Sequence, residues 1–476
     1  MPKQISKTEP IIIVGAGVSG LSTAYALLKR GFENVHIFDK RDYITQGYNY
    51  FKGCDSPSSD MNKIFRAAYG EQTHYQKMSL DSRKVFLNWN QMIKDCNFEG
   101  GDPVYLNSGN IHLTSHHELP LFETLTLQNM APSQAIRVSD SDAIEKAGRI
   151  GLPLSAVDPF EMKRRGKHLE GVLDTTGGMI ISDKCCRWVL HLCRSEFPDN
   201  LTTHLGADIG EIDHLLLEYV KDTGKKKCVG IKTKDKALHF ARLVVTACGP
   251  WTGEVVPEAQ EKLEATGGTV VLIKVTNPKT LEKYSEKNFP TWTYDVRDKG
   301  IGGLYGFPIR NGYMKIGYRG LKWTNPTKTL NSQVKTAYSD CPETNVPIFG
   351  LKLIKQFIAE HIPEVRKIDK TRLCWYSDSE DNDFLISYSP QYADNSLFTI
   401  GGDSGHAFMM FGSIGEVIAD IIMESDADPF LKDLFSWTRK REPINAINKG
   451  IEDPRALCNQ LMATENDWVV RESSKL

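Results

Sequence analysis

From Ile11 to Leu28 the chain is mostly apolar, long enough to pass for a short membrane span. Its glycines argue otherwise. Ile11–Val14 is a β-branched run of the kind a buried parallel strand carries. Gly15, Gly17 and Gly20 follow in G-x-G-x-x-G spacing, Leu21–Lys29 reads as a helix capped by Gly31, and Val35–Phe38 is a second strand ending at Asp39. Residues 41–85 read as loop-rich and then helical, and 86–165 mix short helices with strands. Thr175–Arg194 is patterned as strand, turn and amphipathic helix. Short strands follow over 200–250, including "CVGIKTKD" and the apolar Ala241–Glu254. "GGTVVLIKVT" and "GGLYGFPIRNGYMKIGYRG" read as strands of a second, antiparallel unit. Asn395–Met423 is again strand, glycine-rich turn and helix, so α/β character returns late. No internal repeat or low-complexity segment is visible. Residues 440–476 are polar without strong periodicity and are expected to form a loosely attached tail.

Length adds a domain count: 476 residues suit two or three compact units. Apolar content of 40% and charged content of 25% are those of a soluble globular enzyme. A net charge of -2 gives no argument for nucleic acid or an anionic membrane. The ten cysteines are scattered, only Cys185 and Cys186 being adjacent, and no Cys/His ligand spacing appears, so no metal is expected. The polar N-terminus is not a secretory leader, which points to free thiols in a reducing compartment. Ser474-Lys475-Leu476 at the end reads as a peroxisomal address taken by an import receptor.

The glycines and the acid explain one another chemically. Gly15 permits a tight turn. Gly17, with Val18 and Ser19 beside it, lets a pyrophosphate approach the helix N-terminus. Gly20 lets helix pack on strand. Asp39, followed by Lys40, is placed to accept a ribose hydroxyl. A motif this close to the N-terminus suits FAD better than NAD.

Together these stretches resemble the monomeric sarcosine oxidase and fructosyl amino acid oxidase (amadoriase) family, in order over most of residues 10–425. The resemblance implies an α/β (α+β) fold: a glutathione-reductase-type FAD-binding Rossmann domain interleaved with an antiparallel-sheet substrate domain. The expected segments are 8–85, 166–262 and 372–440 for FAD, 86–165 and 263–371 for substrate, and 441–476 as the tail. The resemblance also implies a monomer that oxidises a small-molecule amine, with oxygen as acceptor. In this family a cysteine followed by an aromatic and a "D-x-x-F-x-I" stretch carries the flavin as a thioether, and in "CWYSDSEDNDFLI" that residue is Cys374. Lys315 in "GYMKIGYRG" matches the lysine that helps oxygen react, and Tyr305 in "LYGFP" an aromatic lining the substrate cavity. "SSDMNKIFRAAYGE" matches the segment over the flavin. It brings Ser59 and Lys63 to the cofactor and Arg66 to a substrate carboxylate, with Tyr69 beside it. Gly405, His406, Ala407, Phe408 and Met409 match the flavin-contacting turn, where a helix N-terminus is expected to face the flavin. In "CGPW", Trp251 sits on the adenine side as packing.

Two positions depart from the family pattern. Met409 stands where members that oxidise amino acids carry a second cation for the carboxylate. Arg319 stands where sarcosine oxidases carry a histidine and amadoriases an acid. Nor is there a late Trp/Arg cluster of the amadoriase kind, only "FSWTRKREP". These departures argue against sarcosine and fructosyl amino acids. They suit a larger, apolar or aromatic, secondary or N-methylated amine whose acid is held by Arg66 or redirected to Arg319. The expected reaction yields an imine and hydrogen peroxide, with no obvious protein base. Capture of the iminium by a phenol ring, as in fungal secondary metabolism, stays open. So do a fructosyl amino acid, sarcosine, pipecolate or saccharopine oxidase, and a flavin dehydrogenase using another acceptor.

Overall fold

In the computed structural model, which describes residues 5–470 apart from 53, 297–301, 336–345, 425–426 and 448, Ile11–Val14 is a fully buried strand. The helix after it runs from Val18 to Lys29, three residues longer at its start than the periodicity predicts. It begins early because Gly17 serves as the N-cap and the Val18 N–H finds an acceptor in the Ser58 hydroxyl, 3.0 Å away. The apolar run Ile11–Leu28 is therefore strand, turn and helix. Among the described residues no helix is long and apolar enough to cross a membrane.

Ile11–Val14 sits inside a six-stranded sheet, ordered Leu385–Tyr388, Leu397–Gly401, Leu243–Thr246, Ile11–Val14, Val35–Asp39, Leu201–Leu205. Five strands are parallel and the Leu385–Tyr388 edge is antiparallel. Central strands that are buried residue after residue require cover on both faces. One face is covered by the helices Val18–Lys29, Ser182–Glu196 and Ile414–Met423. The other carries a three-stranded meander, Ile212–Val220, Lys225–Thr233 and Leu238–Phe240, whose Leu215 and Ile231 pack with Ile12 and Val244.

The second large sheet has eight strands, ordered Lys370–Ser379, Leu263–Lys274, Tyr313–Trp323, Leu304–Gly306, Thr291–Tyr294, Asn110–Thr114, Glu170–Asp174, Ala135–Arg137. Every pairing is antiparallel except that of Thr291–Tyr294 with Asn110–Thr114. Helix Ile348–His361 covers its back through Leu351, Ile354 and Ile358. A small sheet, Lys63–Phe65, Gly178–Ile180 and Tyr105–Leu106, bridges the two units.

Three expectations need correction. The boundaries at 166 and 372 fall early: Glu170–Asp174 and Lys370–Ser379 both pair within the eight-stranded sheet. The segment after 440 is not loosely attached. Thr324, Pro347 and Lys367 bridge to Ala456, Met462 and Val469, and Leu457, Ala463 and Trp468 bury in the second core. Ser474-Lys475-Leu476 lie outside the described residues. Finally, the turn at 405–409 is not a helix N-terminus: Ala407–Met410 is one 3-10 turn, and the helix starts at Ile414.

Candidate active site

The first βα turn opens onto a groove lined by Gly15, Gly17, Val18 and Asp39. Gly15 takes φ +106°, and a Cβ there would meet the Ala247 carbonyl oxygen at 2.4 Å. A Cβ on Gly20 would lie 1.8 Å from the Gly15 oxygen, so the helix rests directly on the turn. Asp39 faces this groove and is fixed by the Ala16 N–H on Oδ2 at 2.8 Å and the Arg41 N–H on Oδ1 at 2.9 Å. Burial raises its pKa against those hydrogen bonds. Gly17, Val18, Ser19 and Lys40 line the groove as expected. Trp251, read as packing, is also on its wall, with the Lys40 ammonium 4.2 Å from its ring. Ser59 is not there: its hydroxyl contacts the Cys54 thiol, and it is Ser58 that faces the groove.

A second cavity continues from the first, sharing Val18, Pro57 and Asp403. Its wall includes a buried ion cluster, of which Lys63 and Lys315 line the cavity. Asp60 Oδ2 accepts from the ammonium groups of both Lys63 and Lys315, each at 2.8 Å, and Arg372 Nη1 is 3.8 Å from Asp60 Oδ1. Lys315, only 1% exposed, also donates to the Asn62 carbonyl at 2.7 Å and lies over the Phe307 ring. Three cations around one carboxylate leave two formal positive charges. Burial works to raise the Asp60 pKa, yet Lys315, Lys63 and Arg372 hold it well below the carboxylate range. One oxygen cannot favour two ammonium groups equally. Burial pushes both lysines down; Asp60 carries Lys63 back above its ordinary value, whereas Lys315, beside the Lys63 charge, stays down at about 8. Cys374 is buried, with its thiol 3.8 Å from the Lys63 ammonium. Arg372, two residues before it on the same strand face, stacks on Tyr50 and keeps Nε and Nη2 without a hydrogen-bond acceptor among the described residues.

Removing the carboxylate that both lysines share should be severe. Asp60→Asn takes from the buried Lys63 and Lys315 ammonium groups their common acceptor and is expected to cost about 3–5 kcal/mol of stability, read as a lower denaturant midpoint at unchanged slope.

At the far end of the second cavity stand Arg66, Tyr305, Arg319 and the turn 405–409. The Arg66 guanidinium donates to the Ala68 carbonyl and lies 4.1 Å over the Tyr69 ring. The Tyr69 hydroxyl reaches His406 Nδ1 at 3.2 Å and Met409 Sδ at 3.1 Å. His406 Nε2 faces the Asn382 carbonyl at 3.3 Å, which makes Nε2 the protonated nitrogen and Nδ1 the acceptor from Tyr69. Burial and the Arg66 charge hold His406 neutral, at about 3. Gly405, at φ +85°, lets Tyr376 approach: a Cβ there would be 2.8 Å from its ring. Tyr376 and Tyr305 hydroxyls are 3.4 Å apart. Arg319 donates to the Ser404 carbonyl at 3.3 Å.

Lys63, Arg66, Tyr305, Lys315, Arg319 and residues 405–409 thus converge on one cavity, with Tyr69 and Cys374 against its wall. Asp60, Ser58, Arg372, Tyr376 and Asp403 belong to the same surroundings and escaped the sequence reading. Asp60 opens the "DMNKIF" stretch and Arg372 precedes Cys374 by two, but only the fold reveals that they pair. The residues fit an extended dinucleotide. There is a glycine cradle at one end, an acid fixed for a ribose, and at the other end a net-positive cluster with orphaned guanidinium donors.

Comparison with known proteins agrees. The family described as FAD dependent oxidoreductase matches residues 10–421. L-Saccharopine oxidase of Schizosaccharomyces pombe is 25% identical over 90% of this chain and 92% of its own. Peroxisomal sarcosine oxidase of Mus musculus is 25% identical over 90% of this chain and 97% of its own. The structure of fructosyl peptide oxidase from E. terrenum superposes with a TM-score of 0.72, covering 96% of this chain and 98% of that one at 19% identity, which establishes a common fold. The chain belongs to the FAD dependent oxidoreductase family, and FAD is its cofactor.

Proposed function

We propose that the protein oxidises a secondary amine bearing a carboxylate to the imine, with oxygen reduced to hydrogen peroxide. The observation that carries this reading is the buried cluster of Lys63, Lys315 and Arg372 around a single carboxylate, next to a cavity that also holds Arg66. Bound FAD supplies the two-electron acceptor for the amine and the donor to oxygen. Gly17, Val18 and Asp39 hold its pyrophosphate and ribose. Cys374 would carry it as a thioether, a reading supported by the family pattern and by its buried place beside the Lys63 ammonium.

The chain's own residues then have distinct tasks. Arg66 takes the substrate carboxylate in its guanidinium fork. The cations of the cavity disfavour an ammonium ion, so the amine binds as the free base and no protein base is required. His406, held neutral, accepts the Tyr69 proton and fixes that ring under Arg66. Lys315 presents a fixed cation to the negative charge that oxygen acquires. Relatives named for sarcosine and saccharopine oxidation support amines as the substrate class. A dehydrogenase would have no use for Lys315 at this position. Met409, read as a soft apolar group in place of a second carboxylate clamp, lines the cavity and turns its sulfur to the Tyr69 hydroxyl. The substrate class therefore rests on the two arginines. Arg66→Gln is expected to raise KM for a carboxylate-bearing amine by roughly 10- to 100-fold, as loss of a charge-assisted hydrogen bond implies. Steady-state peroxide release checks it, and an unchanged KM contradicts it.

The protein acts as a monomer, on the support of a relative named monomeric sarcosine oxidase, and is imported into peroxisomes through Ser474-Lys475-Leu476, on the support of that motif and of the peroxisomal relative. Deleting the three residues from a fluorescent fusion should leave it cytosolic.

A further inference from the structure

Two guanidinium groups, Arg66 and Arg319, open into one cavity, and among the described residues neither pairs with a carboxylate. Each has one backbone carbonyl as partner, Ala68 for Arg66 and Ser404 for Arg319. They are close enough to feel each other. Burial, and the Arg319 charge with it, lowers the Arg66 pKa despite the pull of Tyr69, and both arginines depress His406. The neighbouring acids are already engaged. Asp174 accepts the Ala67 and Ala68 N–H groups, Glu123 faces His112, Asp378 pairs with Lys322, and Asp403 accepts the Gly405 N–H. Two like charges held in one half-enclosed space, each with unused donors of a planar fork, are costly unless something anionic completes them. Among the described residues no carboxylate pairs with either guanidinium, which leaves that place to the ligand.

We infer that the substrate is a secondary amine with a carboxylate on each of its two carbon arms, Arg66 holding one and Arg319 the other. This rests on the amine-oxidase reading and sharpens it. The class is that of N-carboxyalkyl amino acids. It accounts for Arg319, which a monocarboxylate leaves unmatched, and it makes Arg319 the residue that sets specificity. The nitrogen of such a compound lies between the two acids, so two guanidinium forks lining one cavity hold the reacting C–N bond through both of its arms.

The test compares four compounds on the holoenzyme. N-Carboxymethyl-L-alanine and its neutral isostere N-carbamoylmethyl-L-alanine differ only in the second charge. Anaerobic flavin bleaching against concentration should give the diacid a half-saturation at least roughly tenfold lower. Arg319→Gln should bring the two within about threefold of each other, and Arg319→Lys should fall between. Thiodiglycolate, a thioether dicarboxylate that cannot be oxidised as an amine, gives a second readout through the flavin absorbance it perturbs. It should bind the wild type more tightly than methylthioacetate and lose that advantage in Arg319→Gln. Equal half-saturation for diacid and amide, with thiodiglycolate no tighter than methylthioacetate, overturns the inference and leaves the amine-oxidase reading standing. Tighter thiodiglycolate binding with no bleaching by any amine supports the two-carboxylate site and overturns the oxidase reading instead.

Discussion

Lys315→Met should slow reoxidation of the reduced enzyme by oxygen by roughly 10²- to 10³-fold, the usual consequence of removing one preorganised charge from a dry site. Its effect on anaerobic reduction by the amine should be much smaller, because Arg66 and not Lys315 orients the substrate. The two half-reactions, followed separately by stopped-flow absorbance, distinguish these effects. The environment of Lys315 adds a pH signature. Burial, with the Lys63 charge, brings its ammonium down to about 8 against the pull of Asp60. Below that pH the cation is present and reoxidation is fast. As pH rises through about 8 the proton is lost and the rate should fall, with an inflection that Lys315→Met removes. A flat profile from pH 6 to pH 10 would contradict this role.

Cys374→Ala should change the cofactor from bound for good to extractable. The wild-type protein precipitated with acid should give a yellow pellet and a colourless supernatant; in the variant the colour should move to the supernatant. Cys374 is 2% exposed and clusters with the buried Val270 and Tyr376, apart from either main core, so the substitution removes little from those cores. The variant is therefore expected to fold, and flavin binding can be measured as a finite dissociation constant. Retention of the colour in its pellet would show that the link lies elsewhere.

What could be read from the chain before folding was local or motif-borne. Gly15, Gly17, Gly20 and Asp39 lie within one βαβ turn, and their spacing alone implies the groove they form. Lys315 and Cys374 each resemble an ordinary strand residue, and only the motifs around them single them out. Asp60 and Arg372 were invisible because their pairing joins points 312 positions apart, and each alone looks like a surface charge. Ser58 and Ser59 are chemically identical neighbours, and only the turn decides which faces the groove. The tail misled because Leu457, Ala463 and Trp468 anchor it one at a time, at spacings that match neither a helix nor a strand.

The most direct measurement of the central claim is anaerobic mixing of the purified yellow protein with carboxylate-bearing secondary amines, followed by admission of air. The account predicts rapid bleaching of the flavin band, return of the colour with oxygen, and one peroxide per flavin reoxidised. A flavin that dithionite reduces but no amine bleaches, or one that amines bleach but oxygen restores only over hours, would contradict it.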